Sequence, residues 1–334
     1  MPSHSSYTVA QKLSLINKAR DVLRGEYMES NDLKKLLKEL EVNDQFAYAT
    51  EILLRKMKED EVQKISITVK DYQTLAKYIY KDTSLPSSFK FEKALQQLHA
   101  HLDLNTTSNC ETLGLAGAVY KRKWQYDHQF KNLVLSRFYY KQGYFHWRAF
   151  LNERKEDDKD VRNDSGFTAI NYAYICELMA TDKLEEWGTN TGFTAKMRED
   201  LEEAAAARTF ILAYFIELDK KDWLYYIKQR IARWFIGETK TSYPKINNRW
   251  AAATVAEACF GLGLYGQAKF FIQQFIADKG AQPWEIRTFN QQLLSIAYLQ
   301  LLRKKWYNDF KAEQGARERQ EGTDSADTDY LNIS

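Results

Sequence analysis

Along most of the chain, apolar residues recur at spacings of three and four, the period of a helix with one buried face. Val9, Leu13, Ile16 and Leu23 form the first stripe, opened by Thr8 and Gln11 at capping-box spacing and closed near Gly25. Leu33, Leu36, Leu37 and Leu40 mark a second helix after Ser30. Phe46, Thr50, Leu53, Leu54 and Met57 mark a third, with Asn43 as its expected cap. Thr68 is expected to cap a fourth helix carrying Tyr72, Leu75, Ala76 and Ile79, and Pro86 precedes a fifth carrying Phe91, Leu95, Leu98 and Leu102. Further helices are predicted over residues 111–124, 130–145, 169–179, 195–218 and 222–236, while the polar stretch 153–166 has the composition of a loop.

The most informative pattern lies between Trp250 and Asp278. Ala252, Val255, Ala256 and Cys259 share one face, a turn follows at Gly263-Leu264-Tyr265-Gly266, and Ala268, Ile272 and Phe275 form the returning face. Small side chains at Ala256 and Ala268 let two helix backbones approach closely, and Gly263 can adopt the left-handed conformation that ends the first helix. A close antiparallel helix pair is the unit of a tetratricopeptide repeat, and Trp284 lies one 34-residue repeat length beyond Trp250. Asn290 stands where the small Ala256 would recur, so the next copy is degenerate. Upstream, Leu113, Ala116, Gly117 and Tyr120 take the large, apolar, small and aromatic positions of a repeat's first helix. The repeat-defining residues are therefore Leu113, Gly117, Tyr120, Ala256, Gly263 and Ala268.

Leu113 to Trp124, Tyr139-Tyr140-Lys141-Gln142-Gly143-Tyr144 and Gly166 to Ala180 together resemble the tetratricopeptide "TRAFs-binding" region of the apoptosis signal-regulating kinases and of bacterial repeat proteins. Tyr80 to Pro86 and Trp250 to Ala268 also resemble the bacterial members, so the likeness covers most of residues 70–300. The resemblance implies a regulatory platform that holds signalling partners near a separate effector.

Composition agrees with a helical fold. The chain has 334 residues, 44% hydrophobic, so it can bury about three-quarters of its unfolded surface without help from disulfides or metals. Only 4 Pro and 14 Gly interrupt long segments rich in helix-forming residues. A net charge of +3 is too balanced to signal a nucleic-acid protein, and nucleic acid is not the expected partner. Cys110, Cys176 and Cys259 are widely spaced with no CxxC, which fits a reduced cytoplasm. No secretory leader is visible at Met1-Pro2-Ser3-His4, and the apolar run 204–216 contains Arg208 and is shorter than the roughly 20 residues a membrane span needs.

The chemical motifs lack their minimum parts. Gly261-Leu262-Gly263-Leu264-Tyr265-Gly266 matches the GxGxxG spelling, but a helix precedes it where dinucleotide binding needs a strand. His99 and His101 point to different faces of one helix with no third ligand beside them, so no metal and no cofactor is expected. The expected site is instead a groove on the concave face, lined by Glu111, Lys121, Arg122, Asn171 and Glu177, whose basic and amide groups suit a peptide carboxylate or acidic segment. Tyr139, Tyr140, Tyr144 and Trp147 are expected to pack between helices, and Lys228, Arg230 and Arg233 beside Trp223 and Trp234 to belong to an amphipathic helix. The expected architecture is an all-α, right-handed tetratricopeptide-like superhelix, an α-solenoid of helical hairpins. It comprises an N-terminal helical bundle (1–106), repeats (107–302) and a polar, disordered tail (303–334). The expected function is a non-catalytic cytoplasmic scaffold, an adaptor or regulatory subunit binding a protein or peptide. The alternative is a sensor binding a small molecule or nucleic acid in the groove.

Overall fold

The computed structural model describes residues 7–153, 160–187, 195–216, 243, 245–278, 280–281 and 283–328. The predicted helix over 222–236, with its basic and aromatic residues, lies outside them. The described residues form α1 (Val9–Arg24), α2 (Ser30–Val42), α3 (Phe46–Val62), α4 (Val69–Lys81), α5 (Ser87–Leu102) and α6 (Cys110–Asp127). They continue as α7 (Phe130–Asn152), α8 (Phe167–Trp187), α9 (Ala195–Phe215), α10 (Arg249–Gly261), α11 (Tyr265–Ala277) and α12 (Pro283–Thr328). No strand occurs among them.

Local chemistry sets the helix ends. The Gln11 backbone N–H donates to Thr8 Oγ1 at 3.2 Å and the Thr8 N–H donates back to Gln11 Oε1 at 2.7 Å, closing the capping box, and Gly25 ends α1 with φ 111°. Thr68 and Asp71 repeat the device on α4. Asn43 departs from expectation: its side-chain amide donates to Glu39 O at 2.8 Å, so it closes α2 rather than opening α3. Asp44 then turns the chain with φ 57°, and α3 begins only at Phe46.

The hairpins α4/α5, α6/α7, α8/α9 and α10/α11 stack in order, the second helix of each against the first helix of the next. The first helices also touch one another, α4 with α6, α6 with α8 and α8 with α10, forming a continuous face as a helical solenoid requires. The bundle α1–α3 joins this stack through α3 and α4. Small residues sit where backbones meet. A Cβ at Gly117 would lie 2.9 Å from the Tyr140 ring, and one at Gly143 would lie 2.5 Å from Thr168. Leu113, Ala256 and Ala268 are buried, Tyr120 stacks on Tyr139 at 5.6 Å, and Gly263 turns α10 into α11 with φ 73°. Tyr139, Tyr140, Tyr144 and Trp147 are all core residues.

The last helix behaves differently from a further repeat. It packs chiefly on α8 and α10, across the first-helix face, with Phe289, Ile296 and Leu299 buried and Asn290 exposed. An asparagine at the small-residue position has no place in a close apolar helix crossing. Helix also continues through residue 328, where a disordered tail from 303 was expected. The segment is rich in Lys, Arg, Glu, Gln and Ala, and it extends an already formed helix, so no nucleation cost opposes it.

Candidate functional site

The first-helix face and α12 meet in a polar seam. Lys121 of α6 donates to Asn171 Oδ1 on α8 at 2.9 Å and to Gln292 Oε1 on α12 at 3.2 Å. Its ammonium lies 5.3 Å from the Tyr174 ring centroid and 5.9 Å from that of Tyr140. Gln292 passes the network on, donating to Glu257 Oε1 on α10 at 2.8 Å. The hydroxyls of Tyr174 and Ser295 share a hydrogen bond of 2.7 Å, a second tie between α8 and α12.

A turn further along, Glu177 is buried between two arginines. Arg208 of α9 reaches its Oε2 at 2.7 Å and Arg303 of α12 reaches its Oε1 at 3.0 Å. Burial opposes ionisation of Glu177, but the two guanidiniums outweigh it and hold its pKa below the ordinary value. Glu257 goes the other way: burial dominates and raises its pKa, with Gln292, Arg208 and Lys121 only partly compensating. Burial and the neighbouring Arg122 lower the pKa of Lys121. Further ties hold α12 on either side of this seam: buried Glu285 to Arg249 at 3.0 Å, exposed Arg287 to Asp44 at 3.4 Å, and Gln300 to the carbonyls of Phe260 and Gly261.

Of the five expected groove residues, Lys121 and Asn171 touch directly, and Glu177 lies farther along the same seam on α8. Arg122 turns to the α4 side, where its guanidinium carbon lies 5.9 Å from the Tyr80 ring centroid. Glu111 stands apart, in the exposed first turn of α6, paired with Lys70 of α4 at 2.7 Å. Sequence reasoning missed Glu257, Arg208, Gln292, Ser295 and Arg303. Two of them carried a signal. Arg208 interrupts the apolar run 204–216, and Glu257 sits inside the apolar face of α10; a charge in such a place requires a buried partner. Cys110, Cys176 and Cys259 are buried free thiols, and no group of three or more His, Cys, Asp or Glu arranged to hold a metal ion occurs among the described residues. No helix of the described chain is long and apolar enough to cross a membrane.

Residues 35–176 match a family model described as Tetratricopeptide Repeats-Sensor, or TPR-S. The matched stretch begins within α2 and runs into α8, so it takes in part of the N-terminal bundle as well as the first hairpins. With the all-helical stack it supports a tetratricopeptide-type repeat protein, of a kind used for interaction or sensing. Comparison with curated proteins and with solved structures gives no match.

Proposed function

We propose that the protein is a non-catalytic sensing scaffold, which binds a ligand or partner on the face of its first helices and signals through a separate effector. The observation that carries this reading is the seating of α12 on that face through Lys121–Gln292, Gln292–Glu257, Tyr174–Ser295 and Glu177–Arg303. A neutral bond such as Tyr174–Ser295 contributes only about 0.5–1.5 kcal/mol net and a bond to a charged group about 1.5–3 kcal/mol, and the larger cost arises only where a buried partner is left without a replacement. Incoming polar groups therefore exchange with α12 at small cost, provided they satisfy the charges left behind. The family description agrees with sensing. Output through a separate signalling partner is what the sequence resemblance to the TRAFs-binding region implies, and the family match does not bear on it. A passive adaptor would offer this face open to its partner, whereas here the chain's own last helix lies across it.

Hydrogen exchange of the full chain, with and without an extract of its native cells, tests the proposal. Faster exchange in residues 285–303 together with a stoichiometric bound molecule is the expected result. A partner that binds while those residues keep their protection would remove α12 from the mechanism and leave an adaptor.

A further inference from the structure

Glu257 of α10 is a buried carboxyl that makes no ion pair among the described residues, and its hydrogen-bond partner is a neutral group, the Gln292 amide of α12 at 2.8 Å. The cations around it are engaged elsewhere. Arg208 of α9 is held by Glu177 at 2.7 Å, Arg303 of α12 closes the other oxygen of Glu177 at 3.0 Å, and Lys121 of α6 donates to Asn171 and Gln292. Glu177 acts on Glu257 from α8 as a like charge, and Tyr140 of α7 and Tyr174 of α8 stand within electrostatic reach. The residues that α11 buries are Gln267, Ala268, Phe271 and Phe275, none of them titratable. Gln292 thus stands between Lys121 and Glu257, accepting from one at 3.2 Å and donating to the other at 2.8 Å. A carboxyl so placed has lost water without gaining a direct counter-charge, which favours its neutral form. The neutral carboxyl still accepts from Gln292 through its carbonyl oxygen, so the bond to α12 survives protonation. Once α12 lifts, water reaches the group and Lys121 is free to pair with it, and both favour the ionised form.

We infer that α12 seats with uptake of a proton by Glu257 and gives that proton back to solvent on lifting, so that access to the first-helix face responds to pH as well as to a ligand. Burial pushes the seated carboxyl up to about 7 from 4.5, with Gln292, Arg208 and Lys121 only partly offsetting it. A carboxyl raised in the closed state stabilises that state fully below its open value, and the contribution is lost as pH rises to the closed value. Acid therefore holds α12 down, and opening grows between about pH 4.5 and pH 7. Lys121, lowered to about 8 by burial and by Arg122, titrates above that window. Asp164, raised to about 6 by burial, titrates inside it but is common to every variant compared below. The inference rests on the reading of α12 as the helix that yields this face, and it names a second input to the same device.

The test is hydrogen exchange of the full chain, free of ligand, from about pH 5 to about pH 7, with each amide referred to its intrinsic rate at that pH. Protection of residues 285–303 is expected to fall several-fold, and by at most about tenfold per pH unit, while α6 and α7 change less. Glu257→Gln keeps an acceptor for Gln292 and cannot ionise, so α12 should hold its acid-side protection across the whole range. Lys121→Met removes the cation that eases ionisation and should displace the fall to higher pH, a second readout that does not depend on the first variant folding. A flat profile in the parent, the same slope in Glu257→Gln, an unmoved profile in Lys121→Met, or an equal fall in α6, α7 and α12 would each overturn the inference. A ligand from the native extract that loosens α12 while its protection ignores pH would sink this inference and keep the sensing reading. Proton-linked opening with no ligand that promotes it would do the reverse.

Discussion

Glu177 and Arg208 meet at 2.7 Å with almost no exposure of either side chain, and Arg303 closes the other side of the same carboxylate at 3.0 Å. Removing one charge from such a group leaves the others desolvated and unpaired. Glu177→Gln is therefore expected to lower stability by about 3–5 kcal/mol, far more than loss of a surface pair. Urea denaturation measures it. A loss below about 1 kcal/mol would mean that water reaches the two arginines in solution.

The same arginine constrains α10. A Cβ at Gly261 would lie 2.3 Å from the Arg208 guanidinium, which is held by Glu177 and cannot swing aside. Gly261→Ala is expected to destabilise by about 1–3 kcal/mol, although alanine normally favours a helix over glycine. Gly266→Ala is the control, since nothing lies within 4 Å of its Cβ. Equal melting temperatures for the two variants would contradict the packing described.

These residues also show what sequence can and cannot convey. Periodicity and caps revealed the hairpins, because a capping box such as Thr8 with Gln11 and a turn glycine such as Gly263 are local signals. The small positions Gly117, Ala256 and Ala268 were legible for the same reason, each fixed by its own repeat. The site was only partly legible. Lys121 and Asn171 were expected to line an open groove, but Gln292, which joins Lys121 to Glu257, lies 171 residues from Lys121 and is brought there by a helix whose path no local pattern encodes. Asn43 misled for a related reason, since an asparagine serves equally well to start or to close a helix, and Asp44 decides which.

Acid should weaken the junction of α7, α8 and α9. Burial opposes ionisation of Glu203, yet hydrogen bonds from Tyr172, Lys141 and Arg137 win, and its pKa is pulled down to about 2 from 4.5. A carboxyl whose folded pKa is depressed contributes stability that is present above the unfolded value and lost as pH falls through the folded one. The expected loss thus begins near pH 4.5 and is complete near pH 2. Glu203→Gln should be less stable than the parent at pH 7 and lose less on acidification over that window. Parallel acid limbs for the two proteins would show that Glu203 titrates alike in folded and unfolded chains.

Gln292→Ala isolates the seating of α12 from the rest of the fold. The substitution removes the acceptor of Lys121 and the donor to Glu257 in one step, while Phe289, Ile296 and Leu299 keep their buried places. Two charged groups then lose a partner in a region nearly closed to water, a cost of about 1–3 kcal/mol. If α12 is a separable element, that cost falls on its opening equilibrium, so amides in residues 285–303 should exchange several-fold faster while those of α6 and α7 hold their protection. Asn171→Ala provides the comparison, because it removes the other acceptor of Lys121 without touching α12. Loss of protection spread evenly through α6, α8 and α12 in both variants would show instead that α12 is part of one cooperative core, held as firmly as any other helix of the stack.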